Sequence, residues 1–161
     1  MKVLITGMSG TGKSTVVEAM AKAGWRAVDL DVNGWSHWVP CEGNPTGATP
    51  GYDWMWDEAR LVELLTEATD EPLFLAGCGP NMGLFTSLFD RIILLSAPAE
   101  VLLARVAVRT NNPYGKTTAE AERIVANLEE VEPLLRRIAT NEIDATQSPE
   151  VVLDAVVSAA N

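Results

Sequence analysis

The sequence predicts an α/β fold in which helices cover both faces of a parallel sheet, giving three layers. Strand-like and helix-like segments alternate about five times along the chain. The strand-like segments at residues 72–76 and 91–95 are almost continuously apolar, which is typical of strands covered on both faces. Right-handed crossovers through the intervening helices would join such strands in parallel.

Composition and charge restrict the class of protein. The chain has 161 residues, of which 47% are hydrophobic and 21% charged, as expected for one globular domain over residues 1–161. A formal net charge of −10 argues against nucleic acid or an anionic membrane as a partner. No apolar run approaches the roughly 20 residues that span a bilayer, and no signal-peptide pattern is present. Because the two cysteines, Cys41 and Cys78, are isolated, we expect a cytoplasmic protein with reduced thiols. We expect the protein to be a monomer or a homodimer.

The first unit of the chain carries its most specific motif. Residues 3–5 form a short apolar run, residues 7–14 (GMSGTGKS) fit the pattern G-x-x-x-x-G-K-[ST], and residues 15–22 have helical spacing. The pattern therefore has the strand–loop–helix context of a phosphate-binding loop. The alternative is a glycine-rich turn with a chance Lys-Ser pair, which leaves the flanking strand and helix unexplained.

Each residue type in this loop has a chemical reason. Gly7 and Gly12 let the backbone curl so that several N–H groups point at one phosphate, and the following helix adds its positive dipole end. Lys13 supplies a cation for the β- and γ-phosphates, and the Ser14 hydroxyl is a ligand for Mg²⁺. The loop therefore predicts a nucleoside triphosphate site, formed by Gly7, Ser9, Gly10, Thr11, Gly12, Lys13, Ser14 and Thr15.

Two carboxylates end the second predicted strand, at residues 25–31. Asp29 and Asp31 are separated by two, so both can point the same way off the strand end. Ligands of open α/β sheets lie at this edge, where the phosphate-binding loop also lies. One carboxylate could hold Mg²⁺ while the other accepts the hydroxyl proton of an acceptor; the alternative is a solvated strand end.

An irregular segment and a tryptophan cluster follow. Residues 32–51 contain four glycines and three prolines, and so long an irregular segment typically covers a ligand. Asp53 is predicted to cap a helix at residues 54–68. Two interpretations of the clustered indoles stay open: they serve the core, or they stack on a flat acceptor. The tryptophans concerned are Trp35, Trp38, Trp54 and Trp56, with His37 taken as an ordinary loop residue.

The rest of the chain continues the alternation. The third strand, at residues 72–76, ends in Gly77-Cys78-Gly79, where the glycines allow close approach of a substrate or a tight turn. Beyond it we predict a short helix at 83–89, a strand at 91–95, helices at 101–109 and 118–139 (the latter kinked or divided at Pro133), a strand at 142–145 and a last helix opening at Pro149.

A cationic lid is predicted between the two helices. Arg105 and Arg109 lie one turn apart on one helix face and lead into a polar interruption, residues 110–117, which contains Lys116. A loop with cations at its hinge suits closure over phosphates. Arginines of a solvated helix surface are the alternative.

Taken in order, these motifs resemble the small P-loop kinases of the shikimate kinase, gluconate kinase and nucleoside monophosphate kinase group. The resemblance spans nearly the whole chain. It implies a P-loop NTPase fold with a five-stranded parallel sheet of order 2-3-1-4-5, an acceptor-binding region at about residues 32–70 and a lid at about 109–118. It rests on the phosphate-binding loop, Asp29-Leu30-Asp31, Gly77-Cys78-Gly79, the 105–116 region and Ile143-Asp144-Ala145-Thr146 with Pro149.

The resemblance also implies an activity and a set of residue roles. The protein would be a small-molecule kinase that uses ATP and Mg²⁺, with Lys13, Asp31 and Arg109 as catalytic residues. Asp29 and Ser14 would lie near Mg²⁺, and Arg109 would stack on adenine opposite Pro149. The predicted nucleotide contacts outside the loop are Arg105, Arg109, Lys116 and Pro149, and the predicted acceptor contacts are Asp31, Trp54, Trp56, Gly77 and Gly79.

Departures from the shikimate kinase pattern argue against shikimate as the acceptor. Those enzymes carry an arginine in the helix after Asp-x-Asp, where this chain has residues 53–56 (DWMW), and a second arginine two residues before a proline, where it has Val131. Indole in place of guanidinium indicates a less anionic acceptor that is aromatic or ring-shaped.

Three other function classes are considered. A nucleoside or nucleotide kinase would stack its base on the tryptophans, and only Arg26, Arg60 and Arg91 are spare for an acceptor phosphate. A non-catalytic nucleotide-binding or regulatory protein is disfavoured by the intact Lys13 and Ser14. A regulatory GTPase is disfavoured because the chain has no Asn-Lys-x-Asp motif.

Overall fold

The computed structural model of the protein describes residues 1–43, 49–110 and 112–161. The predicted acceptor region and lid each include residues outside this set, namely residues 44–48 and residue 111. The strands are β1 (Lys2–Thr6), β2 (Arg26–Asp29), β3 (Ser36–Pro40), β4 (Tyr52–Trp56), β5 (Leu73–Ala76), β6 (Arg91–Ser96) and β7 (Asn141–Asp144). The helices are α1 (Lys13–Lys22), α2 (Glu58–Thr66), α3 (Ala99–Val108), α4 (Thr118–Glu130), α5 (Glu132–Ile138) and α6 (Pro149–Ala160).

Five of these strands form one parallel sheet in the order β2-β5-β1-β6-β7. Counted along the chain this is 2-3-1-4-5, so the predicted fold and strand order are confirmed. The central strands are buried on both faces, as their apolar sequences require: Val3, Leu4, Ile5, Phe74 and Leu75 are all at most 1% exposed. This order brings the carboxyl ends of β1, β2 and β5 together at one edge.

The long predicted helix after the lid is two helices. α4 ends at Glu130 and α5 begins at Glu132, with Pro133 in the first turn of α5. Proline is tolerated there because a first-turn N–H has no intrahelical partner.

Among the described residues, no helix is both long enough and apolar enough to cross a bilayer.

The region between β2 and α2 differs from prediction. Residues 54–56 belong to strand β4, which pairs with β3 in an antiparallel hairpin, so the expected helix start at Trp54 is wrong. Asp53 is a buried strand residue, and the cap of α2 is Asp57, whose side chain accepts from Arg60 N at 3.0 Å. Tertiary burial of Trp56, which is 1% exposed, fixes the strand where local propensity allowed a helix.

The base of this hairpin is tied to the main sheet. Ser36 Oγ donates to Leu30 O at 2.6 Å, and Asp57 N donates to Trp35 O at 2.8 Å. The Arg60 guanidinium lies 3.7 Å from the ring centroid of Trp35. An isolated two-stranded hairpin is only marginally stable. The Ser36 bond holds it beside the end of β2, and the other two contacts join its flanking residues to each other and to α2.

The short helix predicted at residues 83–89 is present as two 3₁₀ turns, Met82–Leu84 and Thr86–Leu88. Met82 and Phe85 point into the core. These turns connect β5 to β6 and bring the end of β5 against the hairpin: Asn81 Oδ1 accepts from Trp56 N at 3.1 Å, and Asn81 Nδ2 donates to Trp56 O at 3.0 Å.

Candidate active site

A cleft of about 1090 Å³ lies at the carboxyl edge of the sheet. It is bounded by the phosphate-binding loop, the end of β2, the hairpin, the end of α3 with the lid, α4 and the loop before α6. Predicted site residues that line it are Gly7, Ser9, Gly10, Thr11, Gly12, Lys13, Ser14, Thr15, Asp29, Asp31, Trp54, Arg105, Arg109 and Pro149. Residues from distant parts of the sequence are therefore brought together as one site.

The phosphate-binding loop requires its first two glycines for packing as well as for conformation. Gly7, Gly10 and Gly12 have φ of 148°, 92° and 93°, values that residues other than glycine rarely adopt. A Cβ on Gly7 would lie 2.3 Å from Leu95 O, and one on Gly10 would lie 2.9 Å from Leu102 O. The loop is thus pressed against β6 and α3, which holds its backbone in one shape.

Lys13 folds back over this loop. Its Nζ donates to Gly7 O at 2.7 Å and to Met8 O at 3.1 Å. The Thr11 hydroxyl also donates to Met8 O, at 2.9 Å. The ammonium group is therefore held at the mouth of the backbone nest, where phosphate oxygens would meet both the cation and the N–H groups.

The two carboxylates at the end of β2 lie opposite the loop. Asp29 Oδ1 accepts from the backbone N of Asp31 at 2.9 Å, which fixes the turn between them. Loss of hydration raises the pKa of Asp31; the nearby Lys13 opposes this shift and the neighbouring Asp29 adds to it. A carboxylate with a raised pKa is a better proton acceptor than an ordinary aspartate.

Arg109 joins the lid to the loop. Its Nη2 donates to Ser9 Oγ at 3.1 Å and to Tyr114 O at 2.9 Å. Burial lowers the pKa of Arg109, and its Nε has no hydrogen-bond partner among the residues that the structure describes. Arg105 lies one turn earlier and also lines the cleft.

Lys116 lies elsewhere. Its Nζ donates to Ala107 O at 2.7 Å and to Arg109 O at 2.6 Å, so it satisfies the carbonyls at the end of α3. It does not line the cleft. The structure gives Lys116 the role of a helix cap, whereas the sequence predicts a phosphate contact.

The lid is internally bonded through a residue that the sequence reasoning missed. Glu120 Oε2 accepts from Gly115 N and Thr117 N, both at 3.1 Å, and Thr117 completes a capping box at the start of α4. These hydrogen bonds lower the pKa of Glu120. The pattern T-x-x-E at residues 117–120 is the signal that could have found it. Tyr114, also missed, faces the cleft.

The tryptophans divide between cleft and core. Trp38 and Trp54 both line the cleft, with ring centroids 5.2 Å apart in an edge-to-face arrangement of 62°. Trp56 is in the core, and Trp35 is covered by Arg60. Trp56 therefore serves the core, whereas Trp38 and Trp54 are placed at the cleft, where stacking on an acceptor stays a prediction. His37 is exposed on β3 and does not line the cleft.

Gly77 and Gly79 serve the core indole. A Cβ on Gly77 would lie 3.0 Å from Trp56, and one on Gly79 would lie 2.9 Å from it. The close approach that these glycines permit is thus that of Trp56, and neither glycine lines the cleft. Cys78, between them, does line it, and burial raises the pKa of its thiol.

The loop before α6 forms the opposite wall. Thr146 N donates to Asp144 Oδ1 at 2.8 Å, and Gln147 Nε2 donates to Asp144 Oδ2 at 3.0 Å. These bonds lower the pKa of Asp144 to about 2. The aspartate thereby orders a loop that presents Gln147 and Pro149 to the cleft.

Any metal ion in this cleft would need part of its ligands from a bound molecule. Within the described ranges no group of three or more His, Cys, Asp or Glu side chains could hold a metal ion. Ser14 and Asp29 both line the cleft, and two protein oxygens suit Mg²⁺ only when phosphates and water supply the rest of its octahedron. The residues therefore fit a nucleotide-bound Mg²⁺.

Known proteins resemble the chain over nearly its whole length. A putative adenylate kinase of Natronomonas pharaonis is 29% identical over 159 residues, covering 97% of this chain and 88% of the relative. Shikimate kinase 2 of Yersinia enterocolitica is 28% identical over 174 residues, covering 96% and 92%. The solved shikimate kinase of Acinetobacter baumannii, in complex with shikimate, has the same fold, with a TM-score of 0.65, 22% identity and coverage of 98% and 93%.

A family profile described as AAA domain matches residues 3–133. That range includes the phosphate-binding loop, the two carboxylates, the hairpin and the lid. Because the match covers well over half of the chain, the protein belongs to this AAA domain family, and its predicted resemblance to the small P-loop kinases is confirmed.

Proposed function

We propose that the protein is an ATP-dependent phosphotransferase that moves the γ-phosphate to a hydroxyl of a small, neutral, ring-shaped acceptor other than shikimate. The observation that carries this proposal is the composition of a single cleft. A complete phosphate-binding loop forms one side, and Asp29, Asp31 and the Trp38–Trp54 pair lie on the other. The similarity to adenylate and shikimate kinases supports phosphate transfer.

The donor half would hold ATP through charge and backbone geometry. Lys13 would meet the β- and γ-phosphates, and the loop N–H groups would surround them. Arg109 would stack on the base opposite Pro149, both of which line the cleft. Ser14, and Asp29 through water, would hold the Mg²⁺ that accompanies the nucleotide, and this ion would supply positive charge for phosphate transfer.

The acceptor half would orient and deprotonate a hydroxyl. Asp31 would accept the proton as the hydroxyl oxygen attacks the γ-phosphorus and ADP leaves, so that the proton ends on Asp31 and then passes to solvent. Its raised pKa supports this role because proton transfer is most efficient when donor and acceptor are closely matched.

The ring-shaped acceptor follows from the indole pair. Trp38 and Trp54 offer flat apolar surface at the cleft, on which rings pack well. Val131 lines the cleft at the position where shikimate kinases have an arginine, so the counter-ion for a carboxylate is missing from that position. A neutral acceptor therefore fits better than shikimate.

The test is an ATP-consumption screen over sugar acids, cyclitols, nucleosides, nucleotides and aminocyclitol antibiotics, run with the wild type and Lys13→Ala. We expect turnover with one class, and a loss of roughly 10²–10³-fold in Lys13→Ala with an unchanged circular dichroism spectrum. Turnover that survives in Lys13→Ala would show that the loop does not serve phosphate transfer. ATP binding without turnover on any class would favour a non-catalytic nucleotide-binding protein.

A nucleoside kinase is the second candidate. The indole pair would stack on a base as readily as on another ring. Three arginines are spare for an acceptor phosphate, and each is placed away from the cleft: Arg26 pairs with Glu67, Arg60 covers Trp35, and Arg91 is exposed. Within this alternative, a nucleoside is favoured over a nucleotide.

A further inference from the structure

One wall of the cleft is formed by the face of α4. Ile124 and Asn127 on this helix, with Val131 just after it, line the cleft at helical spacing. Ile124 is buried and Val131 is packed against the core. Among the described residues this wall presents no charge, and its single polar side chain is the amide of Asn127.

That amide is not explained by the fold. Asn127 Oδ1 is buried and has no hydrogen-bond partner in residues 1–43, 49–110 and 112–161. A buried acceptor without a partner destabilises the folded state, and a leucine of similar size would avoid that loss. Buried polar groups without partners are rare, and those that occur in native proteins call for a functional explanation.

We propose that Asn127 is a specificity-determining residue whose Oδ1 accepts a hydrogen bond from a neutral hydroxyl or amino group of a ligand bound in the cleft. An anionic group is unsuited to this place because a carbonyl oxygen repels it and the apolar neighbours offer no counter-ion. This inference rests on the proposed function, because the donor group belongs either to the acceptor or to the 6-amino group of adenine.

The test compares the wild type with Asn127→Leu, using binding rather than turnover. Calorimetric titrations use ATP, purine riboside triphosphate (which lacks the 6-amino group), a panel of cyclitols and a panel of nucleosides. If adenine is the source, Asn127→Leu weakens ATP binding at least tenfold and loses the preference over purine riboside triphosphate. If the acceptor is the source, ATP binding is unchanged and binding of a panel compound weakens at least tenfold.

A matched control is Glu129→Gln, an exposed position on the same helix, which is expected to change neither titration. We also expect Asn127→Leu to unfold at a higher temperature than the wild type, because it removes the unpaired acceptor. Asn127→Ala, which also removes the acceptor oxygen, replaces it if the leucine variant does not fold. Unchanged binding of ATP and of every panel compound overturns the proposal, whether or not the protein shows kinase turnover.

Discussion

Asp31 is the residue that we propose as the proton acceptor in this site. Asp31→Asn keeps the shape of the side chain but cannot accept a proton, so we expect acceptor phosphorylation to fall roughly 10²–10⁴-fold while ATP affinity changes little. Initial-rate kinetics and ATP titration measure the two effects separately. An equal loss of both would make Asp31 a metal-binding or structural residue instead.

The pKa of Asp31 also links activity and stability to pH. Its pKa is raised in the folded state, so phosphorylation should decline on acidification at a higher pH than for an ordinary aspartate. The folded protein binds this proton more tightly than the unfolded chain does, so stability is lost as pH rises from the usual aspartate pKa through the raised one. Asp31→Asn should therefore have a higher Tm than the wild type at pH 7, which calorimetry checks; a lower Tm would contradict the assignment.

At the scale of elements, the lid separates two roles for its cations. Lys116 bonds the carbonyls at the end of α3, so Lys116→Met should lower Tm by roughly 2–4 °C, corresponding to about 1 kcal/mol. ATP affinity should change far less than in Arg109→Met. Lys116→Arg, which keeps the charge, is the control. A large loss of ATP affinity with unchanged Tm would instead support the predicted phosphate contact of Lys116.

The elements also show where sequence reasoning succeeds. The phosphate-binding loop could be predicted because each glycine and the Lys-Ser pair are local requirements of one backbone shape. β4 could not, because the segment at residues 54–56 is too short for a period of two to stand out, and Asp53 and Asp57 are equally good helix caps. Which one acts as cap depends on Trp56 entering the core.

The candidate site could likewise be predicted where local geometry decides the position of a side chain, and could not where tertiary neighbours decide its role. Asp29, Asp31, Arg105 and Arg109 line the cleft as expected, because strand ends and helix faces fix where such side chains point. The roles of Lys116 and Asn127 depend on which tertiary neighbours supply or withhold partners, and no local pattern encodes that information.

At the scale of the whole molecule, we expect the net charge to affect the rate constant with which ATP associates. The chain carries −10, so at long range it repels anionic MgATP although the loop itself attracts phosphates. Raising salt from about 10 mM to about 150 mM shortens the Debye length from roughly 30 Å to 8 Å, which should increase the association rate constant. Stopped-flow fluorescence measures this, with neutral adenosine as the control. A decrease with salt would mean that the local field of Lys13 and Arg109 dominates the approach.

The packing of Trp56 against Gly77 and Gly79 has an evolutionary consequence. A Cβ on Gly79 would require the Trp56 indole or the backbone to shift, and one on Gly77 would crowd the same ring, so we expect alanine at these positions to be better tolerated once position 56 has lost its indole. The three positions are therefore coupled. In a double-mutant cycle of Trp56→Leu and Gly79→Ala, the double variant should lose less unfolding free energy than the sum of the two single losses. We therefore expect relatives that keep tryptophan at this position to keep glycine at the other two.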